Sequence, residues 1–141
     1  MVENMKIALD TNAFMPLRVH DDDAGLDLFS AVDAVVPARG RVIIETGVHV
    51  AIPTGYVGFL TSKSGIMGKH GVTCRGTIDA GYTGSIRAVL INHSDVDYKV
   101  GRGDRVTQLV IVPCLTPELE FVDRLDDTER GSGGFGSTGL Q

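Results

Sequence analysis

Five short segments hold the residues whose types could do chemistry. Ala24-Gly25-Leu26-Asp27-Leu28 sets an acid among apolar neighbours, where a carboxylate is costly to bury unless it is paired or near a cation. Ser62-Lys63-Ser64-Gly65 offers a cation, hydroxyls and a glycine at the start of a possible helical turn, whose free N–H groups suit an anion. An N-cap serine in a loop is the commoner reason for such a segment. In Gly76-Thr77-Ile78-Asp79-Ala80-Gly81-Tyr82, the Asp and Gly are ordinary turn formers. Gly103-Asp104-Arg105-Val106-Thr107-Gln108 reads as a strand with Asp104, Val106 and Gln108 on one face. An inward glutamine must find hydrogen-bond partners, so Gln108 is either structural glue or a site residue. The last segment runs from Thr128 as TERGSGGFGSTGLQ, in which glycine amides with Arg130, Ser137 and Thr138 can wrap a phosphate. Phe135, a lone aromatic flanked by glycines, suggests a lid that brings a stacking group to a ligand and excludes water.

Other chemistries fail on context. Gly131, Gly133 and Gly136 match GxGxxG, but no βαβ unit surrounds them and the sequence runs only five residues further. The spacing from Gly131 to Thr138 approaches a phosphate-binding P-loop, yet Ser137 stands where the lysine belongs. His20, His49, His70 and His93 are dispersed, without a pair at i, i+4, which argues against zinc. Cys74 and Cys114 form neither a disulfide framework nor a paired ligand spacing, and both are expected as reduced thiols.

These segments must be held by strands. Arg41 to Pro53 alternates Val42, Ile44, Thr46, Val48, Val50 and Ile52 against the opposite face, the period of a half-buried strand. Similar runs at Tyr56 to Leu60, Ser85 to Asn92, Arg105 to Val112 and Glu118 to Val122 recur about every ten residues, as in an all-β sandwich or barrel. The one helical candidate is the short stretch Ser64 to His70. At 141 residues the chain suits one domain, and the body reads as continuous from about residue 5 to residue 125. We divide it into a β-barrel domain, 1–127, and a mobile glycine-rich C-terminal arm, 128–141, whose composition cannot offset the entropy of ordering its backbone.

Composition narrows the partners. The net charge of −5 disfavours nonspecific nucleic-acid binding, which depends on Lys and Arg displacing counterions from phosphates. The longest apolar run, Leu109 to Val112, ends at Pro113, far short of the roughly 20 residues that cross a bilayer as a helix. Met1 to Asp10 lacks the pattern of a secretory signal, and with Glu3 and Asp10 it is unlike a transit peptide, so a cytoplasmic location is expected.

Taken together and in order, the five segments resemble the motifs of the trimeric all-β dUTPase family. The likeness lies in AGLDL at Ala24 to Leu28, SKSG at Ser62 to Gly65, GTIDAGY at Gly76 to Tyr82, GDRVTQL at Gly103 to Leu109 and RGSGGFGSTG at Arg130 to Gly139. The resemblance implies a single-domain, barrel or jelly-roll-like fold with a flexible C-terminal arm. It implies hydrolysis of dUTP to dUMP and pyrophosphate, water attacking the α-phosphorus with Mg2+ on the triphosphate. Asp79 is then the general base for that water, and Tyr82 packs against the deoxyribose. Uracil is read by main-chain groups near Gly76, Ile78 and Arg87, a pairing that rejects cytosine because buried groups would be left unmatched. Lys63, Ser64 and Gly65 contact phosphate, and Gln108 lies near the α-phosphate and the attacking water. Asp27 reaches the magnesium shell through water, since Mg2+ keeps several waters. Arg130, Gly136, Ser137 and Thr138 close over the γ-phosphate, with Phe135 stacked on uracil.

The resemblance also implies a homotrimer with shared sites: the third motif from one subunit, the first, second and fourth from another, and the arm from the last. Two departures stand out. Lys63 replaces the usual arginine, a point charge in place of a planar fork, and Ser85 stands where an acid is frequent. Two other readings share the scaffold. One is a nucleotide-sensing module that regulates a protein partner, the other dCTP deamination, which Asp79-Ala80-Gly81-Tyr82 and the stacking arm disfavour.

Overall fold

The alternation of Val42, Ile44, Thr46, Val48, Val50 and Ile52 survives a break in the strand it suggested. The computed structural model, which describes residues 4–136 and 139, divides Arg41 to Pro53 into β4 (Arg41–Glu45) and β5 (Val48–Ala51). Gly47 sits between them at φ +67°, a left-handed conformation suited to glycine. Thr46 stays buried at the break because its Oγ1 donates to Ile86 O at 2.6 Å and accepts from Val48 N at 3.2 Å.

The remaining elements are β1 (Lys6–Leu9), β2 (Gly25–Phe29), β3 (Ala34–Val36), β6 (Tyr56–Thr61), α1 (Ser64–His70), β7 (Val72–Cys74), β8 (Gly76–Ile78), β9 (Arg87–Asn92), β10 (Tyr98–Val100) and β11 (Arg105–Pro113). Every ladder is antiparallel: β2-β11-β6-β8, β4-β9-β7, β1-β5 and β10-β3. Their inner faces meet in one core that includes Leu28, Val36, Ile44, Val48, Ile86 and Leu90, giving an all-β, jelly-roll-like fold. The helix falls where the sequence placed it, and Gly71 at φ +67° closes its end.

Two expectations need correction. Asp104, Val106 and Gln108 do not share a strand face. The β2–β11 register shifts between Arg105 and Thr107, so Arg105 pairs with Phe29 and Thr107 with Leu28. The extra residue, Val106, is buried, and the bulge puts Arg105 on the same face as Gln108 and Asp27. Glu118 to Val122 forms no strand. Its alternation has no ladder partner among the described residues, and Leu119 and Phe121 are 96% and 93% exposed.

Candidate functional site

The three motifs carried by β2, β6 and β11 converge. Asp27 lies opposite Gln108 across β2 and β11, and Gln108 lies opposite Thr61 across β11 and β6. The chain leaving β6 therefore delivers Ser62 and Lys63 to the same end of the sheet. Gln108 Nε2 donates to Ser62 O at 3.2 Å. Lys63 Nζ donates to Asp27 Oδ1 at 2.5 Å, and Arg105 Nη1 stands 3.5 Å from Asp27 Oδ2. Asp27, Lys63 and Gln108, together with Asp23, Ala24 and Gly25, line a cavity of about 330 Å³.

The buried carboxylate thus finds its cations, as its setting among apolar residues required. Asp27 is only 4% exposed, and its main chain is tied to Leu17 by reciprocal hydrogen bonds of 2.8 and 3.1 Å. Lys63, expected against phosphate, is engaged by Asp27 instead. Its shortness relative to a guanidinium costs nothing here, because one ammonium donor satisfies one carboxylate oxygen. Ser64 and Gly65 are exposed at the start of α1. Gly65 would tolerate a Cβ with nothing within 4 Å, although glycine weakens a helix interior by about 1 kcal/mol relative to alanine. Nothing among the described residues requires that glycine.

Asp27 Oδ2 is buried without a hydrogen-bond partner. Among the described residues no group of three His, Cys, Asp or Glu side chains could hold a metal. This donor set fits a hydrated Mg2+ whose other ligands are phosphate oxygens, since that ion usually takes one or two carboxylates and retains several waters.

Asp79 and Tyr82 occupy a separate turn beyond β8. Tyr82 N donates to Asp79 O at 3.0 Å, and Tyr82 Oη donates to Ser85 O at 2.8 Å. Gly84 is needed beneath that ring, because a Cβ there would lie 2.6 Å from Tyr82 Oη. The Asp79 carboxylate is exposed and makes no side-chain hydrogen bond among the described residues. Ile78 pairs with Gly58, so Asp79 continues towards Val57, away from Thr61. Four residues along β6 and two strand spacings separate the turn from Gln108, about 13 Å and about 10 Å respectively. One chain does not bring its base candidate to its glutamine.

Gly76 and Ile78 lie on β8, the last strand of its sheet, and Arg87 is on β9 with Nε 3.7 Å from Glu45 Oε1. The outer main-chain groups of β8 have no ladder partner among the described residues. In the arm, Arg130 Nε donates to Gly133 O at 2.6 Å, Phe135 is fully exposed at φ +48°, and Gly136 has φ +87°. Ser137 and Thr138 lie outside the described residues.

Sequence reasoning missed Arg105 and Gly25 as site residues. Arg105 and Gln108 are three apart, a spacing that shares a strand face only through the bulge. Gly25 is legible in retrospect: a glycine inside a strand often marks a close approach, and a Cβ there would meet Gln108 Oε1 at 2.5 Å.

Known proteins share this chain's family and fold. The dUTPase family model matches residues 11–139. The deoxyuridine 5'-triphosphate nucleotidohydrolase of Solanum lycopersicum is 46% identical over 133 residues, covering 94% of this chain and 79% of that protein. The dUTPase of Staphylococcus bacteriophage 80alpha, solved with dUpNHpp, superposes with a TM-score of 0.91 at 37% identity, covering 99% of this chain and 100% of the other. A mutant dUTPase from phage phi11 of S. aureus, solved with a structural Mg(II) ion, gives a TM-score of 0.81 at 35% identity, covering 86% and 98%.

Proposed function

The chain belongs to the dUTPase family and hydrolyses dUTP to dUMP and pyrophosphate; we propose that it does so at sites that three copies build jointly. The observation that carries this reading is the separation of Asp79 from Gln108 within one chain. A site needing both must take the Asp79–Tyr82 turn from one copy and the Asp27, Lys63 and Gln108 cluster from another. Two further features support association. Leu115, Leu119 and Phe121 stand almost wholly uncovered beyond β11, and an apolar hollow of about 860 Å³ is lined in part by Phe59, Val89, Ile91 and Val110. Single exposed apolar residues are ordinary, but contiguous uncovered apolar surface marks interaction sites.

In this reading the Asp79 carboxylate orients a water and takes its proton as the water oxygen bonds to the α-phosphorus. The bond from that phosphorus to the bridging oxygen breaks, and pyrophosphate leaves. Gln108, held by Ser62 O, keeps its amide beside the water and the α-phosphate. Ser64 and Gly65 bind phosphate oxygens where the helix start leaves room. Uracil pairs with the outer main-chain groups of β8 at Gly76 and Ile78 and the start of β9 at Arg87, and Tyr82 lies against the deoxyribose. Arg130, Gly136, Ser137 and Thr138 fold the arm over the γ-phosphate, with Phe135 on the uracil ring. Mg2+, when bound, neutralises and orients the triphosphate, with Asp27 holding one of its waters. Positioning and charge stabilisation supply most of the rate in such transfers.

A cytoplasmic setting belongs to the same proposal: Cys74 and Cys114 are free thiols, as in a reducing compartment, and no helix among the described residues is long and apolar enough to cross a membrane. The division into a body, 1–127, and a closing arm, 128–141, is likewise part of it, since 114–136 contains no strand or helix.

Mixing two inactive variants tests the shared site. Asp79→Asn and Gln108→Ala, refolded together, regain turnover if the two residues serve one site from different copies. Activity no higher than that of the separate variants contradicts the joint site.

A further inference from the structure

Residues 79–84 are held to the rest of the chain by one hydrogen-bonded side chain among those described. His49, on β5, places Nδ1 2.8 Å from Thr83 O and Nε2 2.9 Å from Asp10 Oδ1. The turn's other bonds, Tyr82 N to Asp79 O and Tyr82 Oη to Ser85 O, stay within its own segment. Its far end is fixed by Ser85 and Ile86, where Gly47 N donates to Ser85 Oγ and Ile86 N to Val48 O. A carbonyl and a carboxylate both accept, so both ring nitrogens must donate, and only the imidazolium carries two N–H groups. Asp10 is itself fixed by its N–H to Gly47 O at 2.9 Å.

We propose that His49, as the imidazolium clamped between Asp10 and Thr83, is a positioning residue that holds the Asp79–Tyr82 turn in its working arrangement. The inference rests on the reaction proposed above and adds to it a residue that touches neither water nor phosphate. The charged groups facing His49 are Asp10 after β1, Glu45 on β4 and Lys6 on β1. Glu45 is also engaged by Ser85 Oγ at 2.9 Å and Arg87 at 3.7 Å, and Lys6 lines the same shallow groove. The bond to the Thr83 carbonyl and then that to Asp10 raise the histidine above its ordinary value. Deprotonation removes one of the two N–H donors, so the clamp must release either Asp10 or Thr83.

The test is kcat against pH for dUTP with Mg2+, in the full-length parent, Asp10→Asn and His49→Gln, with thermal unfolding and histidine-ring NMR alongside. The parent should lose kcat on an alkaline limb. Asp10→Asn should move that limb about one pH unit lower with KM little changed, the usual scale for losing a neighbouring charge. His49→Gln should remove the limb and lower the plateau about tenfold, a cost typical of slight misplacement. NMR should find both ring nitrogens of His49 protonated in the parent at neutral pH. Superimposable profiles in three folded proteins, or a neutral His49 ring at neutral pH, would overturn the clamp while leaving the hydrolase reading intact. A parent that does not turn over dUTP would overturn the hydrolase reading itself, and the ring NMR would still decide the imidazolium.

Discussion

Gln108 fills the space that a side chain at position 25 would need: its Oε1 lies 2.5 Å from where a Gly25 Cβ would stand. The two residues come from neighbouring strands of one sheet, so the small residue in the first motif is the seat of the glutamine in the fourth. Gly25→Ala should push the Gln108 amide off Ser62 O. The glutamine end is flexible, so the fold should survive with little change in thermal midpoint, while kcat for dUTP falls on the order of 100-fold, the scale of an ångström's misplacement. Steady-state kinetics and thermal unfolding of that variant check this.

Asp79→Asn should leave stability unchanged, because the turn uses the Asp79 carbonyl and leaves the carboxylate in solvent. Turnover should fall by roughly 10²- to 10⁴-fold, the usual contribution of a positioned general base. Single-turnover pyrophosphate release measures it.

Lys63→Met should destabilise the protein. It strands a carboxylate that is 4% exposed, with Arg105 3.5 Å away as its remaining cation. Loss of a charged partner from a buried acceptor costs about 1–3 kcal/mol, visible as a lower urea midpoint. Asp27→Asn with Lys63→Met should recover part of that loss, because no buried charge is then unpaired.

The arm should be separable from the fold. Phe135 is fully exposed and touches no core residue, so ending the chain before Arg130 should leave the thermal midpoint in place and sharply reduce turnover of dUTP. Phe135→Ala should raise KM more than it lowers kcat, since base stacking contributes about 1–3 kcal/mol.

Stability should also record His49. Its value is raised in the fold by the Thr83 carbonyl and Asp10, so its contribution is fully present below the unfolded value, about 6.5. That contribution is lost as pH rises through the folded value. The parent should therefore lose stability across an alkaline window above ordinary histidine titration, and His49→Gln should not. Urea midpoints across the neutral-to-alkaline range measure the difference.

Much of this was legible from residues alone. The period-two runs located β4, β5, β6, β9 and β11 because each buries one face. The turn chemistry of Asp79-Ala80-Gly81 and the helix at Ser64 to His70 were equally local. The three-residue strands β3, β7, β8 and β10 were not found, because so few residues carry no period and their strand state comes from pairing. Glu118 to Val122 shows the converse: the alternation is real, but no partner strand lies among the described residues. That a buried Asp27 needs a cation followed from the cost of burying an acid, but Lys63 was read against phosphate and only the fold shows it as that cation, while Arg105 depended on a bulge that leaves no mark in the spacing. His49 was set aside with the other dispersed histidines, since its partners at positions 10 and 83 are neighbours only in the fold.

Pyrophosphate release from dUTP, dTTP, dCTP and UTP, each with Mg2+, tests the central claim most directly. The account predicts turnover of dUTP well above the other three, by at least about 10⁴-fold over dCTP, whose reversed donor and acceptor pattern leaves main-chain groups unpaired. Equal turnover of all four, or none of dUTP, would contradict it.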